Sequence, residues 1–231
     1  ITCGDGGLTL VNREDLIERA SLFIDKGRSR KAGRVHLFLG ANYRMTELQG
    51  TVARAQLAKC GGLIEARRNA ANALTARLKQ MAGIVVPQGA ADTRSSWWLY
   101  NFLIDEPRLG VTADEFCDAL QVEGVPAMRQ YLMRPLFEED VIAKRNTFGQ
   151  SGYPFSATDY TPPRMEDLPG LQEFFRRQII VAWNSRLTCA HADATAKAIE
   201  KLLRAATTTA EQRPGATQDV YLPGRLEDRP S

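Results

Sequence analysis

Asn42 and Arg44, an amide and a guanidinium two residues apart, stand immediately before the helix-start signal Thr46-Glu47-Leu48-Gln49. The free N–H groups and positive dipole end of a helix N-terminus favour an anion. An Asn donor beside an Arg fork at that place suits a phosphate. The same two residues serve equally well as the polar lead-in to a capped helix, so this segment alone leaves both readings open. Upstream, Gly4-Asp5-Gly6-Gly7 reads as a tight turn, because glycine reaches positive φ without steric cost. It does not match the dinucleotide fingerprint, which needs a helix directly after the glycines, nor the P-loop, which needs a Lys-Ser/Thr pair.

Other side chains could carry chemistry. Lys26, Arg28, Arg30, Lys31 and Arg34 form a basic stretch that is either a solvated loop or the edge of a pocket for a diphosphate. Trp97, Trp98 and Tyr100 fall on one expected strand, where successive residues face opposite sides; they are core, or one of them turns outward. Arg129, Tyr131 and Arg134 could meet a carboxylate, with Arg binding it bidentately, or could form surface ion pairs. Ser185, His191, Asp193 and Cys189 lack a nucleophile-elbow context, and His191 opens a helix where a polar residue is routine. His36 lies between apolar neighbours and is expected to be packed.

The run Gly40-Ala41-Asn42-Tyr43-Arg44-Met45-Thr46-Glu47-Leu48-Gln49, with Ile1-Thr2-Cys3-Gly4-Asp5-Gly6-Gly7 upstream, resembles the pattern that follows the cofactor lysine in DegT/StrS-type sugar aminotransferases. The resemblance covers residues 1 to about 205 and is strongest over 1–60. It implies an α/β fold, the C-terminal part of a fold-type-I pyridoxal 5'-phosphate-dependent transferase of the aspartate aminotransferase superfamily. It also implies transfer of an amino group from glutamate or glutamine to a keto sugar, often nucleotide-linked, or to a keto cyclitol.

On this resemblance the lysine lies just upstream of Ile1, so the chain is expected to be a fragment with no catalytic residue of its own and no activity. Asn42 would reach the cofactor phosphate of the neighbouring subunit, in trans, in a homodimer. Arg44, Trp97, Trp98, Arg129 and Tyr131 would contact substrate. Trp98 stands where many relatives have His. A relative with His in place of the lysine would dehydrate rather than aminate a sugar, and a non-catalytic dimerisation or binding protein is the alternative from another class.

Composition narrows the field. A net charge of +3 over 231 residues does not argue for a polyanion partner, and the basic stretch lacks interleaved aromatics; nucleic acid is not expected. No uninterrupted apolar run approaches the roughly 18 residues of a membrane span, so no membrane partner and a cytoplasmic location are expected. Cys3, Cys60, Cys117 and Cys189 are widely spaced with no CxxC, which points to neither a zinc site nor a disulfide framework.

The elements that must position these residues follow from local pattern. Leu8 to Val11 reads as a short buried strand, and Asn12 as the cap of a helix running to about Lys26. Thr46 and Gln49 form a capping box, and Gly61-Gly62 should bend or break the helix before it resumes over Leu63 to Met81. Trp97 to Ile104 is a strand, Thr112 to Glu115 a second capping box, Gly149 to Pro163 a loop, Leu171 to Gln178 a helix, Ile179 to Trp183 a strand and Ala190 to Ala205 a closing helix. Together with the resemblance, which implies the domain roles, this gives four segments: the end of a large cofactor-binding domain at 1–60, a kinked helical connector at 61–82, a small α/β domain at 83–205, and a disordered tail at 206–231.

Overall fold

The computed structural model describes residues 1–147 and 149–211. The chain divides into two compact units, Ile1–Glu65 and Ala66–Ser231. The elements of the first are α1 (Glu14–Ile24), a two-residue ribbon of β1 (Arg28–Ser29) against β2 (Val35–His36), and the start of α2 (Glu47–Leu78). Leu8 to Val11 is not a strand. A strand needs a neighbour for its N–H and C=O groups, none of the described residues pairs with this segment, and Leu8 and Leu10 are exposed. The cap position of α1 is Arg13 rather than Asn12, and Arg13 turns its side chain to Asp15, with Nε 3.1 Å from Oδ1 and an η nitrogen 2.7 Å from Oδ2.

α2 begins as expected. The Thr46 N–H donates to Gln49 Oε1 at 2.9 Å, and the Gln49 N–H donates to Thr46 Oγ1 at 3.2 Å. Of the bend or break expected at Gly61-Gly62, the break is absent, and one helix of 32 residues runs through both glycines. Each glycine costs about 1 kcal/mol against alanine. Once nucleated, a helix adds one hydrogen bond per residue, and the flanking Ala, Leu, Lys, Arg and Glu residues propagate it past two weak positions.

In the second unit, β3 (Ile84–Val85), β4 (Leu99–Ile104), β5 (Ala127–Met128) and β6 (Gln178–Ala182) form an antiparallel sheet in the order β3-β4-β6-β5. β4 alternates, with Tyr100, Phe102 and Ile104 buried and Leu99, Asn101 and Leu103 less so. The buried set meets Ile179 and Val181 of β6, the last turns of α2 (Ala70, Ala71, Leu74, Leu78), α4 (Ala113–Val122) through Phe116, Cys117 and Leu120, and α7 (Cys189–Glu211) through Ala192, Ala196 and Ile199. Three helices and a sheet thus share one core. Short α3 (Glu106–Leu109) and α5 (Asp140–Ala143) lie on connections, and α6 (Pro169–Arg177) leads directly into β6.

The second capping box is present, with Thr112 Oγ1 accepting from the Glu115 N–H and Glu115 from the Thr112 N–H. The tail expected from residue 206 begins as helix, since α7 continues through 206–211 on the apolar pattern set by Ile199, Leu203 and Ala206. Residues 212–231 of that expectation lie outside the described residues. No helix among the described residues is long and apolar enough to cross a membrane.

Candidate functional site

In the first unit the Asn42 segment is pinned to the end of α1 by backbone. The Lys26 N–H donates to Ala41 O at 3.0 Å, the Tyr43 N–H to Ile24 O at 2.9 Å, and Asp25 forms a β-bridge with Asn42. Two glycines permit this approach. A Cβ on Gly40 would sit 2.7 Å from Gly27 N, and one on Gly27, at φ +67°, would sit 2.2 Å from Phe38 O. No side chain fits either place.

On this platform Asn42 and Arg44 meet. Asn42 Oδ1 accepts from Arg44 Nε at 3.0 Å, and Asp25 Oδ1 lies 3.4 Å from the same Nε and 3.6 Å from Lys26 Nζ. The carboxylate is largely buried and bracketed by two cations, which cancels its charge locally. The amide oxygen is occupied, so Asn42 presents its Nδ2 hydrogens outward. Among the described residues no acceptor takes them or the terminal guanidinium nitrogens of Arg44. This donor set fits a phosphate: two kinds of N–H, open to solvent, at the lead-in to a helix N-terminus. Asp25, which orients the pair, was not singled out from the sequence; its only signal there is a lone carboxylate at the edge of the basic stretch.

That basic stretch is the β1–β2 ribbon and its tip. Lys26 and Arg34 have left-handed φ of 62° and 67°, and Lys31 Nζ reaches Glu18 at 3.4 Å. His36 is exposed rather than packed, because the two-residue strand it belongs to has no layer above it, and Nδ1 donates to Lys26 O at 2.9 Å.

In the second unit, Trp97 and Trp98 precede β4 instead of belonging to it. Trp97 has φ +50°, a conformation costing an L-residue roughly 1–2 kcal/mol. Its indole stacks on Tyr100 at 5.0 Å, and Tyr100 lies 5.1 Å from Trp183, whose Nε1 donates to Arg67 O at 3.1 Å. Trp97 is therefore a wall of the core. Trp98 points elsewhere and meets Tyr131 edge-on at 4.8 Å, both rings more than half exposed. These two expected site residues are brought together as an aromatic corner.

Arg129 is committed elsewhere. Its guanidinium donates to Arg176 O at 2.7 Å, to Phe175 O at 3.4 Å and to Gln178 O, and pairs with Asp114 at 2.8 Å. It closes the free carbonyls at the end of α6, which a sequence reading cannot see because they lie more than forty residues away. Arg134 likewise makes a two-pronged pair with Glu139 at 3.1 and 3.2 Å. His191 Nδ1 accepts from the Thr188 N–H at 3.2 Å, and Asp193 pairs with Arg77 and, at 2.8 Å, with Lys197. Neither belongs to a nucleophilic triad. The Arg77 and Lys197 cations hold the Asp193 carboxyl below the usual range, the Lys197 hydrogen bond contributing most.

The architecture is that of fold-type-I aminotransferases. Helicobacter pylori PseC, an aminotransferase involved in the biosynthesis of pseudoaminic acid, superimposes with a TM-score of 0.64 at 20% identity, over 84% of this chain and 48% of that one. A profile of the DegT/DnrJ/EryC1/StrS aminotransferase family matches residues 1–179, and the chain belongs to that family. Among curated relatives, GDP-perosamine synthase of Caulobacter vibrioides is 29% identical over 141 residues, 58% of this chain and 37% of its own length. An uncharacterised protein of Methanocaldococcus jannaschii is 22% identical over 182 residues, 73% of this chain and 45% of its own. The chain spans less than half the length of these relatives.

Proposed function

We propose that the protein is a pyridoxal 5'-phosphate-dependent aminotransferase acting on a keto sugar, often nucleotide-linked, or on a keto cyclitol, with glutamate or glutamine as donor. The observation that carries this reading is the outward-facing donor set of Asn42 and Arg44 at the start of α2, within a segment that the family profile covers. Pyridoxal phosphate, when bound, carries the amino group between donor and acceptor. Asn42 Nδ2 would hold the phosphate by a charge-assisted hydrogen bond for the partner subunit of a homodimer, and the Arg44 terminal nitrogens, which the resemblance assigns to substrate, would offer a second donor beside it. The exposed Leu48, Val52 and Leu57 along α2 are consistent with such a partner, since apolar faces of this kind mark association surfaces. The Gly4–Gly7 turn forms pocket floor, and Trp98 with Tyr131 offers rings against which a sugar packs.

The amine that holds the cofactor is not among the lysines of these residues. Such a lysine is desolvated or held beside another cation, whereas Lys31, Lys59, Lys79, Lys144, Lys197 and Lys201 are exposed and Lys26 is drawn to Asp25. On this reading residues 1–231 alone are inactive, and borohydride treatment with pyridoxal phosphate should trap no single lysine.

Asn42→Ala in the full-length protein tests the phosphate assignment. Losing one hydrogen bond to a charged group, about 1.5–3 kcal/mol, lowers cofactor affinity about 10- to 150-fold. Mixing these subunits with subunits lacking the cofactor lysine should restore affinity at the one site that receives an intact Asn42 from its partner. Wild-type affinity in Asn42→Ala homodimers defeats the phosphate role, and no recovery on mixing defeats the in-trans arrangement.

A further inference from the structure

Two capping boxes in this chain differ in one atom. In α4 the reciprocal acceptor is Glu115, which takes the Thr112 N–H and hydroxyl at 2.8 and 2.9 Å. In α2 it is Gln49, whose Oε1 takes the Thr46 N–H and hydroxyl at 2.9 and 3.0 Å. A carboxylate would serve Thr46 as well as an amide does. What the amide adds is an N–H, and this one is used: Gln49 Nε2 donates to Asp5 O at 2.7 Å, a residue 44 positions earlier.

The segment it holds is the glycine turn, which is already seated on the lead-in to α2. Gly6, at φ +152°, holds a conformation that L side chains rarely adopt, and it lies against the lead-in, since a Cβ there would be 2.8 Å from Cys3 Sγ and 3.2 Å from Met45 Cε. Met45 directly precedes Thr46 and directly follows Arg44. One side chain therefore completes the start of the helix and fastens the turn to the segment that carries Asn42 and Arg44.

We infer that Gln49 is a positioning residue for cofactor binding, fixing the Gly4–Gly7 turn relative to the Asn42–Arg44 phosphate corner. The inference rests on the proposed function above. It explains why an amide rather than a carboxylate occupies this cap: a Glu would satisfy Thr46 and turn a negative oxygen toward the Asp5 carbonyl.

The discriminating variant is Gln49→Glu in the full-length protein, with Gln49→Met, which keeps the length and loses all three side-chain hydrogen bonds, carrying the same measurements if the first does not fold. Amide hydrogen exchange is read over residues 3–8 and 50–55, and pyridoxal phosphate affinity by absorbance titration. In Gln49→Glu, exchange over 3–8 should be about 5- to 10-fold faster, the worth of one net hydrogen bond. Protection over 50–55 should stay within about twofold, because the cap survives. Cofactor affinity should fall by a similar 5- to 10-fold. In Gln49→Met both segments should exchange faster. Unchanged exchange over 3–8 removes the tie, and faster exchange with unmoved affinity removes its role in binding; either overturns this inference while leaving the parent reading intact. A wild-type protein that takes up no pyridoxal phosphate overturns the parent reading and this one with it.

Discussion

Replacing Arg129 by Ala should destabilise the second unit by about 3 kcal/mol while leaving substrate recognition untouched. The side chain is only one-fifth exposed, and its guanidinium serves the carbonyls of Phe175, Arg176 and Gln178. Hydrogen bonds to a charged group are worth about 1.5–3 kcal/mol each. Phe175 O, at 3.4 Å, is a weak partner, and water can replace the guanidinium at Arg176 O, so about one and a half such bonds are lost outright. The cation also faces the negative end of α6, worth roughly 0.3–1 kcal/mol. Asp114 is mostly exposed, and that pair contributes about 0–1 kcal/mol. Urea unfolding is the assay, followed by tryptophan fluorescence, since Trp97, Trp98 and Trp183 all belong to this unit. With a slope of about 2 kcal/mol/M the midpoint should drop by roughly 1.5 M. Arg129→Lys, with the charge but not the fork, should recover about half of that. A midpoint within 0.3 M of wild type in Arg129→Ala, about 0.5 kcal/mol, would refute the closing role. A raised KM for the amino donor at wild-type stability would return Arg129 to the carboxylate-binding role suggested by sequence.

Further outcomes follow from the same structure. Burial pushes the Tyr100 hydroxyl up to about 12, against a hydrogen bond with Thr75 that lowers it. The unfolded chain then loses its proton first, so stability is intact below pH 10 and declines between about pH 10 and 12, by roughly 2–3 kcal/mol in all. Tyr100→Phe should flatten that part of a urea-midpoint profile, and an identical decline in both proteins would exclude Tyr100 as its source. Leu74→Ala removes a fully buried side chain from the core and should cost about 2–5 kcal/mol in the same unfolding assay. A Cβ on Gly61 or Gly62 meets nothing within 4 Å, so alanine at either should raise stability by about 0.5–1 kcal/mol, read as a higher thermal midpoint.

What the sequence discloses here is what is local. Both capping boxes are legible because Thr46 and Gln49, like Thr112 and Glu115, lie three residues apart and the geometry follows from the spacing. β4 is legible because Tyr100, Phe102 and Ile104 alternate. Gly61-Gly62 does not break the helix because propensity is counted residue by residue while a helix is cooperative over its length. The strand expected at Leu8 to Val11 fails because a strand is defined by its neighbour, which a pattern along one segment does not contain. In the candidate site, the donor types of Asn42 and Arg44 and their place just before a helix start are legible from residue type and position. The roles of Asp25, Arg129 and Gln49 depend on partners from 19 to 49 residues away in the chain, and no short motif records them.

The strand order carries a consequence for biosynthesis. β4 pairs on one side with β3, already made, and on the other with β6, whose first residue follows Ile104 by more than seventy positions. At ribosomal speeds of about 5–20 residues per second, the inner edge of β4 waits roughly 4 to 15 seconds for its partner. During that wait Tyr100, Phe102 and Ile104 have only the end of α2, and soon α4, to cover them. The nascent unit is thus an intermediate of β3, β4, the end of α2 and then α4 with an open edge, the kind of species to which chaperones attach. Slowing translation after Ile104 should lengthen this exposure.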